Sequence, residues 1–312
     1  MPAPFEVLTP EALSLLRTVA QAGSFAAGAR ELGLVPSAVT YRVRQIEDAL
    51  DVLLFDRSSR QARPTPAGAE LLREGARLLA ETDAVANRVQ RIATGWESQL
   101  TMAVDTVVSL SVVMELVHVF YELAPVTRLR LRDESLSGTL EAVTSGQADL
   151  ALGVALEASN AGGVQSRLLG EMPFVYAVAP HHPLAALPEP LGDDLLQRHR
   201  AIAVADSVQR GPALTLGLLA GQDVLTVPTM RAKLDAQLRG LGAGFVPLAM
   251  ARPYLETGRL VAKETQRGAR VVRISAAWRT SSQPGRALQW WLAQLERPAT
   301  RLALIEQHRV PQ

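Results

Sequence analysis

Residues 36–50 carry one narrow apolar stripe, and this pattern constrains the fold of the N-terminal part more than any other feature. Apolar side chains recur at spacings of 4, 7 and 11 residues, at Val39, Val43, Ile46 and Leu50. The opposite side of the helix carries Ser37, Tyr41, Arg44 and Asp48. Pro36 suits a first helical turn, where its missing N–H would be unpaired anyway. The segment therefore predicts an amphipathic helix with one side in a core and an unusual polar side outside.

A second helix is predicted immediately before it, in "AGSFAAGARELG". Ser24 is a suitable N-cap and Gly33 a suitable left-handed stop, which leaves two residues before Pro36. A further helix is predicted over about 9–21. Two helices joined by so tight a turn, braced by a third, indicate a helix-turn-helix. In that motif the second helix enters the DNA major groove, so we expect Ser37, Thr40, Tyr41, Arg42 and Arg44 to face DNA.

An isolated helix pair is more often a plain surface element, and charge does not decide the matter. Residues 1–95 hold 11 arginines and 11 acidic residues, so this region is neutral. The following segment "LLFDRSSRQARPTPAG" favours DNA binding, because it predicts a hairpin wing. Its arginines, Arg57, Arg60 and Arg63, are expected to contact phosphates beside the groove.

Thr65 and Pro66 begin a long helical pattern that runs to about residue 94. Apolar side chains recur every seven residues, at Leu71, Leu78, Val85 and Ile92. The pattern predicts a partner helix. Packing against its own domain remains the alternative, and the seam is weak at Gly75 and Thr82.

Strands alternate with helices after "GWESQ". The first series, β-α-β-α-β, runs from "QLTMAVD" through a helix over 107–123 to "ADLALGV", and the pattern starts again at "FVYAVAP". The strand "RVVRISAAWR" and a helix near 284–294 close the chain. This order predicts parallel sheets covered by helices, in two α/β lobes.

Ligands of open parallel sheets bind where strands end and helices begin. This rule nominates eight residues as an effector site: Asp105, Thr106, Ser135, Ser137, Asp206, Ser207, Thr229 and Met230. Helix capping is the alternative role for each of them.

Composition limits the other classes of function. A length of 312 residues predicts two or three domains, and a net charge of +1 gives no global attraction for a polyanion. The absence of cysteine excludes disulfides and thiolate sites. No secretory signal or membrane-spanning run is recognisable, so we expect a cytoplasmic protein.

An enzyme is not indicated. Neither a G-x-S-x-G elbow nor a phosphate-binding loop occurs, and "GLGAG" follows a helix where dinucleotide binding needs a strand. His181 and His182 lack a surrounding ligand cluster, so we expect no metal, no cofactor and no catalytic residues. A DNA-bridging structural protein remains a third possibility, although it would not need a two-lobed sensor.

Residues 9–68 resemble the winged helix-turn-helix of LysR-type transcriptional regulators. The resemblance is carried by "AGSFAAGARELG", "SAVTYRVRQIEDAL" and "LLFDRSSRQARPTPAG", in this order and spacing. The family usually has Ser at the position of Val35 and Gly at that of Asp51. The replacement by Val35 removes a side chain that could cap the helix. The triplet "TYR" at 40–42 is similar to the subgroup of the enteric allantoin-utilisation activator. The similarity runs over the whole chain.

The resemblance implies a multidomain α+β fold. It predicts a DNA-binding domain over 1–65, a linker and dimerisation helix over 66–95, and a periplasmic-binding-protein-like effector domain over 96–312. Lobe I of that domain would span about 96–160 and 275–312, and lobe II about 161–274. The expected function is a bacterial transcriptional regulator that binds promoter DNA, senses a small polar or anionic metabolite, and forms a homodimer or homotetramer. An α/β enzyme or small-molecule-binding protein with an accessory helical domain is the alternative.

Overall fold

The structure is a computed structural model that describes residues 4–56, 61–123, 126–155, 163–209, 213–280 and 284–308. The chain divides into two compact units, residues 1–89 and 90–312. Among the helices of the described residues, none is long and apolar enough to cross a membrane.

The N-terminal unit is helical with one small hairpin. Its elements are α1 (Pro4–Val7), α2 (Pro10–Ala22), α3 (Phe25–Glu31), α4 (Pro36–Leu50), β1 (Phe55–Asp56), β2 (Arg63–Pro64) and α5 (Pro66–Thr94), which continues into the second unit. The three expected helices and the turn between α3 and α4 are confirmed. Ser24 caps α3 by accepting a hydrogen bond from the Ala27 N–H at 3.1 Å. Val35 provides no side-chain cap, yet α4 still begins at Pro36.

The apolar stripe of α4 lies in the core of this unit. Val39, Val43 and Ile46 are buried there against residues of α2, α3 and β1. The contact between α2 and α3 is close, because a Cβ on Gly28 would lie 3.0 Å from the Val19 Cα. Because the apolar stripe of α4 is buried in this core, its polar side faces outward.

Glu47 is a residue of α4 that the pattern analysis did not single out. Its side chain is buried, and Oε1 accepts hydrogen bonds from the N–H groups of Leu54 and Phe55 at 2.8 and 3.4 Å. A buried carboxylate is stable only with such donors. Glu47 therefore ties the end of α4 to the first strand of the hairpin.

The second unit is an α/β structure with one large mixed sheet and one small sheet. Its strands are β3 (Gln99–Asp105), β4 (Arg128–Glu134), β5 (Leu150–Val154), β6 (Val164–Val178), β7 (Ala201–Val204), β8 (Val224–Val227), β9 (Gly244–Pro247), β10 (Val261–Lys263) and β11 (Arg270–Arg279). Its helices after α5 are α6 (Leu110–Leu123), α7 (Ser137–Thr144), α8 (Asp193–Gln197), α9 (Met230–Leu238), α10 (Leu248–Glu256), α11 (Arg286–Glu296) and α12 (Pro298–Glu306).

The parallel arrangement expected for the first strands is confirmed. β3 pairs in parallel with β4 and with β5, and β7 pairs in parallel with β8. In the large sheet the order is β10-β6-β11-β5-β3-β4, with β9 also paired to β6. β6 and β11 are long antiparallel strands, and together they connect the first group of strands to the second.

Three details differ from the sequence expectations. β6 begins ten residues before "FVYAVAP", because "VQSRLLGEMP" lacks a clean alternation and becomes a strand by pairing with β11. α6 begins at Leu110 rather than at 107, since residues 106–109 form a turn in which the Asp105 carboxylate accepts the Val107 N–H. α12 follows the helix that was expected to close the chain.

Candidate functional site

The polar side of α4 is exposed as a continuous strip. Ser37, Tyr41, Arg42 and Arg44 are exposed, and the Tyr41 side chain reaches 63% exposure. Thr40 is half-buried, and its hydroxyl donates to the Pro36 carbonyl at 2.9 Å. Guanidinium, hydroxyl and phenol groups on one helix face can bond base edges and phosphates in a major groove.

The expected wing is present as the β1–β2 hairpin, in which Phe55 pairs with Pro64. Arg63 is exposed, and its Nε donates to Gln61 Oε1 at 3.0 Å. Arg57 and Arg60 lie outside the described residues. The Thr65 hydroxyl joins the hairpin to α5, because it donates to the Leu53 carbonyl at 2.7 Å and accepts the Gly68 N–H at 3.0 Å.

The seam of α5 divides into two parts. Leu71 packs against the core of the N-terminal unit. Leu78 and Val85 are each 47% exposed, and Ile92 is 85% exposed. Packing within the chain thus accounts for Leu71 alone among the four seam residues, and an apolar strip remains uncovered further along the helix.

The polar residues nominated at strand ends in the second unit do come together. The Thr106 and Ser135 hydroxyls are 3.4 Å apart, and the Thr106 hydroxyl also accepts the Met230 N–H at 3.2 Å. The Ser207 hydroxyl donates to Glu134 Oε2 at 2.7 Å and accepts the Ser135 N–H at 2.9 Å. These bonds join the ends of β3 and β4 to the segments after β7 and β8.

Asp206 and Ser137 extend this cluster. The Ser137 hydroxyl donates to Asp206 Oδ2, and the carboxylate also accepts the Gly138, Val208 and Leu214 N–H groups at 2.8–3.2 Å. Burial alone would raise the pKa of Asp206, but these hydrogen bonds outweigh it and hold the pKa below its ordinary value. Thr229 caps α9 by accepting the Ala232 N–H at 3.1 Å. Most of the nominated groups are therefore bonded to one another.

Asp105 is the most deeply buried acid of the site. Its carboxylate accepts hydrogen bonds from the Val107 and Leu136 N–H groups, each at 3.0 Å, and from the Thr139 hydroxyl at 2.9 Å. Burial nevertheless raises its pKa to about 7. Near neutral pH this side chain is thus only partly ionised, and three donors already bond its two oxygens.

A cavity of about 90 Å³ lies beside the cluster. Of the eight nominated residues, Asp105 and Met230 line it. The rest of its wall is mainly apolar, with the rings of Phe174 and Phe245 and the side chains of Val107 and Ile202. The strand-end rule therefore leads to the cavity's edge, whereas its wall comes from residues farther along the strands.

The cavity also holds cationic groups that the pattern analysis missed. Lys233 is 7% exposed, and burial together with repulsion from Arg270 lowers its pKa to about 8. Arg270 is half-buried and stacks over the rings of Phe174 and Phe245, with its Cζ at 5.6 and 5.9 Å from their centroids. Their signals in sequence are weak: a lysine in a chain with only two, and an arginine that opens a strand.

A metal centre finds no support here. Among the residues that the structure describes, no group of three or more His, Asp and Glu side chains could hold a metal ion. His182 and His199 do approach, with ring centroids 5.4 Å apart, but His182 Nδ1 already accepts the Leu184 N–H at 3.2 Å.

Two family descriptions match the chain. Residues 10–69 match "Bacterial regulatory helix-turn-helix protein, lysR family", and residues 93–299 match "LysR substrate binding domain". The first range covers the helix-turn-helix and the hairpin, and the second covers the α/β unit that contains the cavity.

Individual proteins are similar over nearly the whole chain. YhaJ of Escherichia coli K12, a probable transcriptional regulator, is 36% identical over 92% of this chain and 96% of its own. The HTH-type transcriptional activator AllS of Klebsiella pneumoniae is 30% identical over 82% of this chain and 95% of its own. Full-length CbnR, solved with its target DNA, has a TM-score of 0.57 at 17% identity and covers 93% of this chain and 99% of its own, which supports the shared fold.

Proposed function

The chain belongs to the LysR family of transcriptional regulators, and we propose that separate parts of it bind DNA, pair two chains and bind an effector. It is a DNA-binding regulator with an effector-binding domain, and not an enzyme. We propose a DNA-binding domain over 1–65, a dimerisation helix over 66–95 and an effector domain over 96–312. Within the last, lobe I would comprise about 96–160 and 275–312, and lobe II about 161–274. We place the protein in the cytoplasm, where its promoter DNA is found.

DNA reading is assigned to the exposed side of α4. Arg44 and Arg42 would bond guanine edges or phosphates, and Ser37, Thr40 and Tyr41 would bond bases or the backbone beside them. Arg63, with Arg57 and Arg60, would contact phosphates from the wing. The exposure of this strip, on a helix whose other side is fixed in a core, is the single observation that carries the assignment.

Pairing of two chains is assigned to α5. Leu78, Val85 and Ile92 would pack against the same helix of a second chain, while Leu71 packs mainly within its own unit. A paired helix places two reading helices at a fixed separation, so the dimer binds two DNA half-sites. The family's oligomers agree with this assignment.

Effector sensing is assigned to the cavity and the polar cluster beside it. Asp105, Thr106, Ser135, Ser137, Asp206, Ser207, Thr229 and Met230 would respond to the ligand as a set, because their hydrogen bonds join the two groups of strands. A ligand changes the arrangement of the lobes only if it binds one arrangement better than another. We propose that this change is passed on through the paired α5 helices and alters how the two α4 helices of the dimer contact DNA.

Genome-wide capture of DNA by the purified full-length protein tests this function. We expect a small set of promoter fragments to be enriched, and the protein to bind them at least ~10³-fold more tightly than scrambled duplexes at physiological salt. The matched control is a variant with Ser37, Tyr41 and Arg44 replaced by Ala, which keeps the buried side of α4. Equal capture by the control and the wild type would remove the reading role from α4.

A further inference from the structure

Positive charge dominates the cavity of the second unit. Within the described ranges, the structure gives neither the Lys233 ammonium nor the Arg270 guanidinium a carboxylate partner or a hydrogen-bond acceptor. The other charged groups of the wall are already bonded. Arg267 forms a two-bond pair with Asp193 at 2.8 and 3.1 Å, and Asp105 accepts three hydrogen bonds.

The position of Lys233 is fixed by the fold. It lies one turn into α9, which Thr229 caps at its start. One turn later, Gln237 Nε2 donates to the Ala177 and Gly244 carbonyls at 3.2 and 2.7 Å, which holds the helix against β6 and β9. A Cβ on Gly244 would lie 3.1 Å from Lys233 Nζ, so the backbone passes directly beside the ammonium group.

An ammonium group in such a place is unfavourable without a counter-charge. Burial removes its water, and an unpaired buried charge destabilises a fold unless something compensates it. Arg270 does not compensate it, because it is itself a cation, and its charge adds to burial in lowering the pKa of Lys233. A negative charge placed in the cavity between the buried Lys233 and the half-buried Arg270 would compensate both cations.

We propose that the cavity binds a small organic carboxylate, with its charged group between Lys233 and Arg270 and its apolar body against Phe174 and Phe245. This inference rests on the proposed function, in which the cavity is the effector site. Tyr176 also lines the wall, and its hydroxyl has no hydrogen-bond partner among the described residues, so it is a further candidate donor for the same ligand.

The shape of the cavity favours an organic acid over an inorganic anion. A volume of about 90 Å³ has room for roughly six water-sized groups, which is more than one carboxylate fills. The remaining wall, including Val107, Ile202 and Leu219, offers few polar atoms to bond the oxygens of a phosphate. An apolar body gains from being buried there, while the carboxylate gains from charge-assisted hydrogen bonds.

The test compares acids with their uncharged and cationic isosteres in the full-length protein. Acetate, pentanoate and benzoate are titrated at millimolar concentrations beside acetamide, pentanamide, benzamide and pentylamine, with inorganic phosphate as a further anion. Thermal unfolding is followed by tryptophan fluorescence, which reports only residues 90–312 because all four tryptophans lie there. A ligand that binds the folded state raises the melting temperature.

We expect pentanoate or benzoate to stabilise the wild type, while the matching amide and amine do not. Lys233→Met keeps the length of the side chain and should weaken acid binding at least ~tenfold. It should not lower the melting temperature without ligand, because it removes an unpaired buried charge. Arg239→Met is the matched control, since it removes one positive charge from the exposed C-cap of the same helix.

The proposal is overturned if no acid binds the wild type more tightly than its amide, if phosphate alone binds, or if Lys233→Met binds acids unchanged. Failure of the proposed function is a separate result. If the wild-type protein binds carboxylates through Lys233 but enriches no promoter DNA, the carboxylate site is supported and the proposed regulator function is contradicted. A protein that enriches promoter DNA but binds amides as well as acids would support the regulator function and contradict the carboxylate site.

Discussion

The exposed side of α4 and the cavity of the second unit both present cationic side chains, but in opposite surroundings. Arg42 and Arg44 are exposed, so they keep their water and are screened by salt. Lys233 is buried, and burial lowers its pKa to about 8. An exposed cation suits many weak contacts with a polyanion, whereas a buried cation suits one strong contact with a small anion.

The two regions also differ in how they are assembled. The α4 strip comes from eight consecutive positions, 37–44, on one helix. The cavity draws on residues from Asp105 to Ile274, carried by helices and strands of both groups. A substitution on α4 should therefore change DNA binding and leave the fold intact, while a substitution at the cavity also changes stability.

The largest expected effect tests whether DNA binding by α4 requires a dimer, in which two α4 helices bind two half-sites. Leu78→Glu places a charge in the exposed apolar strip of α5, and an uncompensated charge in a buried dimer seam costs about 3–5 kcal/mol. We expect sedimentation to show dissociation of the oligomer. Promoter affinity should fall as well, because two half-sites are then no longer held jointly.

Ala76→Glu is the matched control for this experiment. It adds the same charge to an exposed position of α5 that lies away from the seam. An oligomer that persists in Leu78→Glu would return the seam to a role within the single chain.

The second effect separates the buried acid of the cavity from solvated ones. Asp105 has its pKa raised from 3.8 to about 7, so the folded state holds a proton over this window that the unfolded chain has released. Its contribution to stability is complete below about pH 4 and is lost as pH rises to about 7. The change is on the order of 4 kcal/mol, because each unit of pKa shift corresponds to about 1.4 kcal/mol. Asp105→Asn should remove this loss, as followed by tryptophan fluorescence in urea.

Asp206→Asn provides the opposite sign. The pKa of Asp206 is lowered by its hydrogen bonds, so its contribution is present above about pH 4 and is lost as pH falls through the lowered value. Above about pH 4 the stabilities of the two variants should therefore depart from that of the wild type in opposite directions, upward for Asp105→Asn and downward for Asp206→Asn. A wild-type stability that does not decline between pH 4 and 7 relative to Asp105→Asn would show that Asp105 is ionised throughout.

The contrast between the two regions also explains what could be predicted from the sequence. The period of Val39, Val43 and Ile46 sets both sides of α4, because a helix places residues by spacing alone. The pattern thus predicted α4 at its observed bounds, Pro36–Leu50, and the side that faces outward. The strand-end rule likewise located the cluster around Thr106 and Ser207.

The residues that form the wall of the cavity could not be predicted from periodicity or from strand ends. Lys233 and Arg270 lie 37 positions apart. They reach one cavity because Gln237 holds α9 against β6 and β9, and because β11, which Arg270 opens, also pairs with β6. β6 owes its full length to this pairing rather than to its own pattern. Similarly, the burial of Glu47 follows from the path of the hairpin after α4, which periodicity does not contain. Contacts that depend on long-range pairing leave little signal in one sequence.

The third prediction tests the specificity assigned to α4. Arg44→Ala should weaken binding to captured promoter fragments by about 1–3 kcal/mol if the guanidinium bonds a guanine edge. Binding to random duplexes should fall much less. Fluorescence anisotropy with both kinds of duplex measures the difference. Arg77→Ala is the control, because Arg77 is an exposed arginine of α5 paired with Glu74 at 2.9 Å. Equal losses on both duplexes would make Arg44 a phosphate contact.

The smallest expected effect concerns the wing. Arg63 is exposed on β2, and its Nε bonds Gln61 within the hairpin. If it contacts a phosphate, Arg63→Ala should weaken promoter and random DNA alike, by under about 1 kcal/mol at physiological salt. The slope of log affinity against log salt should become shallower by about one unit, because one fewer counterion is released. Titrations at several salt concentrations measure that slope directly. An unchanged slope would place Arg63 away from the phosphates, and the α4 strip would then act without this arginine.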